Sequence, residues 1–241
     1  MSRNFELLTQ IESEVGTTHH PAPATTYRAA VEAVVPRDVG GEEMLRLVQS
    51  IFLSTNGSAP RRVVFCGVDA ENGSSSVCAS AGRTLAASSS RSVCLVDANL
   101  RSPRLSGIFG VDTKILFPSK SASVRKQCVQ ISRNLWLAGK DLLTDDRDAL
   151  LSLAELKHLL AQLSGEFEYL LIDAPGTSVC GDAAILGQVA DAAVLVIEAD
   201  STRRMSARKA KEALDTAGVR LLGTVLHNRN FPIPAGLYKR L

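Results

Sequence analysis

Four short apolar runs constrain this chain more than anything else in it. They are Val63-Val64-Phe65-Cys66-Gly67, Ser92-Val93-Cys94-Leu95-Val96-Asp97, Tyr169-Leu170-Leu171-Ile172-Asp173 and residues 192–198. None alternates apolar with polar residues, so each reads as a strand buried on both faces. Helical patterns separate them: residues 42–53, a small-residue stretch over 77–87, an apolar stretch over 150–163, and residues 182–190 and 203–217. Leu135-Trp136-Leu137-Ala138 and residues 220–226 read as further strands. Doubly buried strands alternating with helices predict an α/β fold, a mostly parallel sheet with helices on both faces. There is no internal repeat.

The N-terminal part is of another kind. Phe5, Leu8, Ile11 and Val15 share one helical stripe, with Glu6, Glu12 and Glu14 mostly elsewhere, so residues 1–16 are expected to hold an amphipathic helix. Its polar face is acidic, which favours packing or partner docking over membrane binding. Residues 17–40, rich in Thr, Pro, Ala and Gly, read as a flexible linker. Residues 41–241 form the α/β domain. Residues 118–128 are polar, lack periodicity and read as a surface excursion.

With 241 residues, 45% of them hydrophobic, the chain is long enough for one well-buried domain. Its 27 basic and 25 acidic residues nearly balance, which gives no reason to expect a nucleic-acid-binding face. No apolar run approaches the roughly 18–20 residues that span a bilayer, and no apolar segment follows Arg3 to make a signal peptide. Cys66, Cys78, Cys94, Cys128 and Cys180 have no CxxC spacing and read as small buried hydrophobes.

In such sheets, ligands bind beyond the C-terminal strand ends. Three loops there carry chemistry. The first, Gly67-Val68-Asp69-Ala70-Glu71-Asn72-Gly73-Ser74-Ser75-Ser76, links a strand to a helix, the place of a phosphate loop. Such a loop uses glycine so that backbone N–H groups turn inward, a lysine to reach the β- and γ-phosphates, and a hydroxyl to hold Mg²⁺. Gly73 and Ser75 fit the glycine and the hydroxyl, but Ser74 stands where the lysine belongs and Val68 where the first glycine belongs. Asp69 and Glu71 would repel a polyphosphate. The helix N-terminus still offers free N–H groups. The second loop, Asp97-Ala98-Asn99-Leu100-Arg101-Ser102-Pro103, and the third, Asp173-Ala174-Pro175, each place a carboxylate at a strand end. Asp173 suits Mg²⁺ bound through water. Capping of the following helix is the alternative role for each Asp.

With these loops in hand, the chain resembles the bacterial tyrosine kinases of capsule and exopolysaccharide systems, the CpsD/CapB family, which are P-loop NTPases related to the MinD/ParA ATPases. The family reads S-x-E-P-G-E-G-K-S-T, D-A-D-L-R-x-P and I-I-D-T-P-P at the three loops. Further matches are Pro103-Arg-Leu-Ser-Gly-Ile-Phe-Gly110, Gly181-Asp182-Ala183, residues 190–196 and the ending from Gly223 to Pro234. The opening Ser2-Arg-Asn-Phe-Glu-Leu-Leu is similar to the start of the cytoplasmic subtype.

The resemblance implies catalytic roles for Asp97, Asp173 and Arg101. It implies nucleotide contacts from Gly73, Ser74, Ser75, Ser76 and Asn228, and Mg²⁺ held by Ser75, Asp97 and Asp173. Tyr238 is the implied autophosphorylation site. The implied partner is the cytoplasmic segment of a Wzz/Wzc-like polysaccharide co-polymerase, with a homo-oligomer or pairing with an intact kinase as further contacts. The implied location is cytoplasmic, peripheral at the inner membrane through that partner. Nucleic acid is not among the implied partners.

The departures are equally informative. Ser74 replaces the lysine, Asn99 the second acid of D-x-D, and His227 or the shifted Asn228 the asparagine of the last loop. The arginines of the family's ring-contact helix are largely lost from Glu42–Gln49, and the tyrosine cluster is reduced to Tyr238. Losing the main protein cation at the transferred phosphate costs about 3–4 kcal/mol of transition-state stabilisation. The expectation is a pseudokinase-like regulator with ATP and Mg²⁺ binding weakened or lost. The alternatives are an active autokinase recruiting Arg101, Arg61, Arg62 or a partner's arginine, and a MinD/ParA-like positioning ATPase.

Overall fold

A computed structural model describes residues 31–35, 41–53, 59–70, 72–113, 123–144 and 152–228. The expected N-terminal helix, Glu71 and Tyr238 lie outside these residues. The apolar runs are strands as read: β2 (Arg62–Gly67), β3 (Val93–Asp97), β5 (Leu135–Ala138), β6 (Tyr169–Ala174), β7 (Ala192–Glu198) and β8 (Leu221–His227). With β1 (Val31–Val35) and β4 (Val129–Ser132) they form one eight-stranded sheet in the order β1-β8-β7-β2-β6-β3-β5-β4. Every pairing is parallel except β4 with β5.

Helices cover both faces. On one lie α1 (Gly41–Phe52) and α2 (Ser74–Ser88), with the short α3 (Leu105–Phe109); Met44, Leu47, Ile51, Val77 and Leu85 pack there on Val63, Phe65, Leu95 and Leu171. On the other lie α4 (Leu153–Glu166), α5 (Asp182–Val189) and α6 (Arg204–Thr216). Leu156, Leu160, Leu163, Leu186 and Leu214 pack there on Val64, Cys94, Leu170 and Leu195. The α4 stripe recurs every three to four residues, the spacing that keeps one helical face on a sheet. Ser152 and Glu155 close its start with a reciprocal capping box.

Two expectations need correction. The stretch read as a linker over 17–40 contains β1, an edge strand aligned with Gly223–His227 of β8. Val31, Val34 and Val35 are β-branched, and an open parallel edge accepts such a run. The stretch read as a surface excursion turns inward at its end: Val124 and Cys128 are buried. Between them Arg125 lies over Trp136 at 4.1 Å and Phe167 at 5.1 Å. Its Nη1 donates to the Glu166 carbonyl at 3.1 Å. A planar guanidinium stacks on aromatic faces while its edge still bonds, so a polar sequence can cover core.

At the opposite end from the candidate site, ion pairs lace the strand starts. Asp191 accepts from the backbone N–H groups of Arg61 and Arg62, each at 2.9 Å, and from Arg62 Nε at 2.9 Å. Glu168 lies between Arg91 at 3.0 Å and Arg61 at 3.3 Å.

Candidate phosphate and cation site

Parallel strands deliver their C-terminal ends to one edge, and the register brings two carboxylates together there. Asp97 of β3 stands directly opposite Asp173 of β6. Asp97 is 2% exposed and Asp173 fully buried. Asp97 Oδ2 accepts from the Leu105 N–H at 3.1 Å, so it also closes the start of α3. Its Oδ1 and both Asp173 oxygens lack a well-formed hydrogen bond among the described residues, although the Ser75 hydroxyl lies near enough to act on Asp173. Burial pushes the Asp173 carboxyl up to about 8; Ser75 and the charge of Arg104 oppose the shift, and Asp97 adds to it. Burial lifts Asp97 to about 6 against the pull of backbone N–H groups at Leu105, Asn99, Ser106 and Arg104. Two facing buried carboxyls with unsatisfied oxygens hold either protons or a cation. Among the described residues no group of three His, Cys, Asp or Glu forms a metal centre. The donor set is Ser75 with two carboxylates. That suits Mg²⁺, which keeps waters and takes one or two carboxylates plus phosphate oxygens.

The phosphate loop is built differently. Gly73 takes the left-handed conformation at φ 82°, and its carbonyl starts α2 by accepting from Val77 N–H at 3.0 Å. A Cβ there would run into the ring of His227 at the end of β8. Gly67 is equally required, because a Cβ there would strike the Asn72 side chain. Asn72 is 3% exposed. It folds back across the loop, and Nδ2 donates to the Val196 carbonyl at 3.0 Å, while Oδ1 meets no donor. The turn that would cradle phosphate is thus packed by the chain's own Asn72 and His227. Thr177 N–H and Ser178 N–H donate to the carbonyls of Gly67 and Val68, fastening the loop to the one after β6. The Ser178 hydroxyl donates to Asp69 Oδ1 at 3.1 Å, so this carboxylate is engaged within the loops.

The remaining expected residues are dispersed. Ser74 and Ser75 are buried in the first turn of α2 and Ser76 is exposed. Arg101 is exposed, and its charge reaches Cys180; Arg104 is the arginine whose charge reaches Asp173. Asn99 accepts from Ser102 N–H within its own turn. Asn228 is left-handed at φ 57° and donates to Glu198 Oε1 at 3.0 Å. Sequence reasoning missed Asn72, Arg104 and the packing of His227 on Gly73. An amide directly before the loop glycine was the available signal for the first.

A parallel sheet of this order, with a strand–loop–helix phosphate site beside two strand-end aspartates, defines a P-loop NTPase fold. No family model matches the chain. The tyrosine-protein kinase YwqD of Bacillus subtilis is 28% identical over 210 residues, 84% of this chain and 86% of that protein. The tyrosine-protein kinase CpsD of Streptococcus pneumoniae is 28% identical over 144 residues, 58% of this chain and 63% of that protein. In fold, the chimerical protein CapA2B2 matches with a TM-score of 0.68 at 17% identity, over 83% of this chain and 94% of that one. The kinase domain of the Escherichia coli tyrosine kinase ETK matches with a TM-score of 0.66 at 17% identity, over 88% of each chain. MinD from the Aquifex aeolicus MinC:MinD complex matches at 0.56 with 22% identity, over 75% of this chain and 72% of that chain. The chain is thus similar in sequence to bacterial tyrosine-protein kinases named YwqD and CpsD, and shares its fold with a tyrosine kinase domain and with MinD.

Proposed function

We propose that this chain is a pseudokinase-like regulator in exopolysaccharide or capsule synthesis or export, paired with the cytoplasmic segment of a membrane co-polymerase. The observation that carries the reading is the phosphate loop itself: Ser74 holds the lysine position, and the Asn72 side chain lies across Gly67, bonded to Val196. The cation half keeps Ser75, Asp97 and Asp173, with Asn99 in place of the second acid. Ser75, Asp97 and Asp173 would hold Mg²⁺, which when bound with ATP would offset charge on the phosphates. The phosphate half lacks its cation and is filled by an amide. Ground-state binding and transfer therefore both weaken.

The test is thermal shift of the full chain with Mg·ATP, together with transfer of labelled γ-phosphate. The reading expects almost no shift and an unlabelled Tyr238. Micromolar ATP affinity with phosphotyrosine would overturn it. A second reading, an active autokinase, draws on Arg104, whose charge reaches Asp173. It requires labelling that Arg104→Gln abolishes while Asp97 and Asp173 are intact.

A further inference from the structure

The exposed apolar side chains are not scattered. Of the five large hydrophobics exposed among the described residues, Leu53 directly follows α1. The other four, Leu153, Val179, Ile185 and Met205, lie at one end of one helical face. Leu153 opens α4, Val179 lies in the loop leading into α5, Ile185 lies in the first turn of α5, and Met205 in the first turn of α6. These three helices lie side by side on one face, α4 against α5 and α5 against α6. α5 and α6 each follow a parallel strand, and α4 precedes one, so all three start at the same end of the sheet. Met205 is the most open, at 63%.

The start of α6 is also cationic. Residues 203–211 carry Arg203, Arg204, Arg208, Lys209 and Lys211 and no acid. Arg208 and Lys211 pair one turn on with Glu212 and Asp215; Arg203, Arg204 and Lys209 make no ion pair among the described residues. α6 has no acid in its first turn and no side-chain cap, and two arginines there oppose the helix dipole. Helix stability alone would place acids at those positions. Among the acids at this end, Glu155 caps α4, Asp182 accepts from the Cys180 thiol, Asp69 accepts from the Ser178 hydroxyl and Glu198 accepts from the Asn228 amide; Asp200 stands in the turn before α6.

We propose that this end of the face docks on an anionic bilayer surface, with Met205, Ile185 and Val179 entering the headgroup boundary and Arg203, Arg204 and Lys209 on lipid phosphates. Charge complementarity and apolar exposure together select this occupant. Cations within reach of an anionic leaflet attract it additively, and long apolar side chains beside them insert without shape complementarity. A nucleic acid would use the cations and leave Met205 and Ile185 in water. A protein partner would be expected to meet aromatic anchors, and Leu153, Val179, Ile185 and Met205 include none. No helix among the described residues is long and apolar enough to cross a membrane.

The test is co-sedimentation of the full chain with phosphatidylcholine vesicles with and without phosphatidylglycerol. Binding is expected only with the anionic lipid, weakened by salt. Arg203→Gln with Arg204→Gln should lower partitioning about tenfold or more, and Met205→Asp should lower it at constant charge on the arginines. Arg133→Gln with Arg220→Gln removes the same charge at the opposite end of the sheet and should change little. Far-UV dichroism and melting confirm that each variant folds. Absence of vesicle binding, an equal loss in the distal pair, or retention by Met205→Asp would each overturn the proposal. So would a duplex DNA shift that Arg203 and Arg204 control while vesicles stay unbound.

Discussion

At the scale of single residues, the site combines an over-charged half with an under-charged one. Asp97 and Asp173 face each other, and three of their four oxygens lack a well-formed hydrogen bond among the described residues. Removing one charge should therefore relieve the pair: Asp173→Asn is expected to stabilise the chain at pH 8 by about 1–3 kcal/mol, read as a rise in urea midpoint. The same variant should lose any stabilisation by Mg²⁺. Ser74 is the converse case. Ser74→Lys returns a cation to a buried position beside the amide of Asn72. Mg·ATP affinity is expected to rise by roughly tenfold for Ser74→Lys, and further when Asn72→Ala clears the loop, as measured by calorimetry. If Ser74→Lys alone gives full binding, Asn72 does not obstruct the cradle. The two carboxylates and the missing lysine were legible in the sequence because they sit at strand ends and in a patterned loop. Asn72 lying across Gly67, and His227 against Gly73, were not. Each contact joins residues whose meeting depends on the loop path or on a strand far along the chain.

At the scale of elements, hydrophobic pattern sufficed for strands buried on both faces and failed at the edges. β2, β3, β6 and β7 are runs of apolar residues that have no other place in a folded chain. β4 has an alternating burial pattern and only four residues, and β1 lies inside a Thr- and Pro-rich stretch. Edge strands take their pairing from a neighbour more than from their own composition. The strand starts are joined by charge. Asp191 is less than one-third exposed and binds two backbone N–H groups and the Arg62 guanidinium. Asp191→Ala should cost about 1.5–3 kcal/mol in chemical denaturation. Ser152→Ala, which opens the α4 capping box, should cost about 0.5–2 kcal/mol.

At the scale of the whole molecule, the acids give stability a defined pH profile. Asp97 and Asp173 are raised in the folded chain, to about 6 and about 8. The native state therefore holds more of their protons than the unfolded state does above about pH 4, and stability falls as pH rises through 6 and 8. Asp191 is lowered, chiefly by Arg62 against the cost of burial, so its contribution is lost as pH falls below the ordinary carboxylate range. The melting temperature without divalent cation should peak near the ordinary carboxylate value, about pH 4, and decline toward pH 8. Asp173→Asn should flatten the alkaline limb. Added Mg²⁺ should raise the melting temperature more at pH 8 than at pH 5, since it binds the deprotonated pair. A profile rising from pH 5 to 8 without Mg²⁺ would contradict the burial of these carboxyls.

The sequence by itself determined the α/β class, the doubly buried strands, the strand-end carboxylates and the loss of the loop lysine. All of these are local patterns of polarity and residue type, which the chain carries wherever it folds. Only the tertiary structure decided that Asp97 and Asp173 share one edge in register, that the charge of Arg104 acts on Asp173, and that Asn72 and His227 pack the phosphate loop. It also gathered Leu153, Val179, Ile185 and Met205 at one end of one helical face. Those facts depend on which strands lie side by side. Pairing β2 between β6 and β7, and β3 beside β6, brings together residues separated by tens to more than a hundred positions, and no local pattern encodes that neighbourhood.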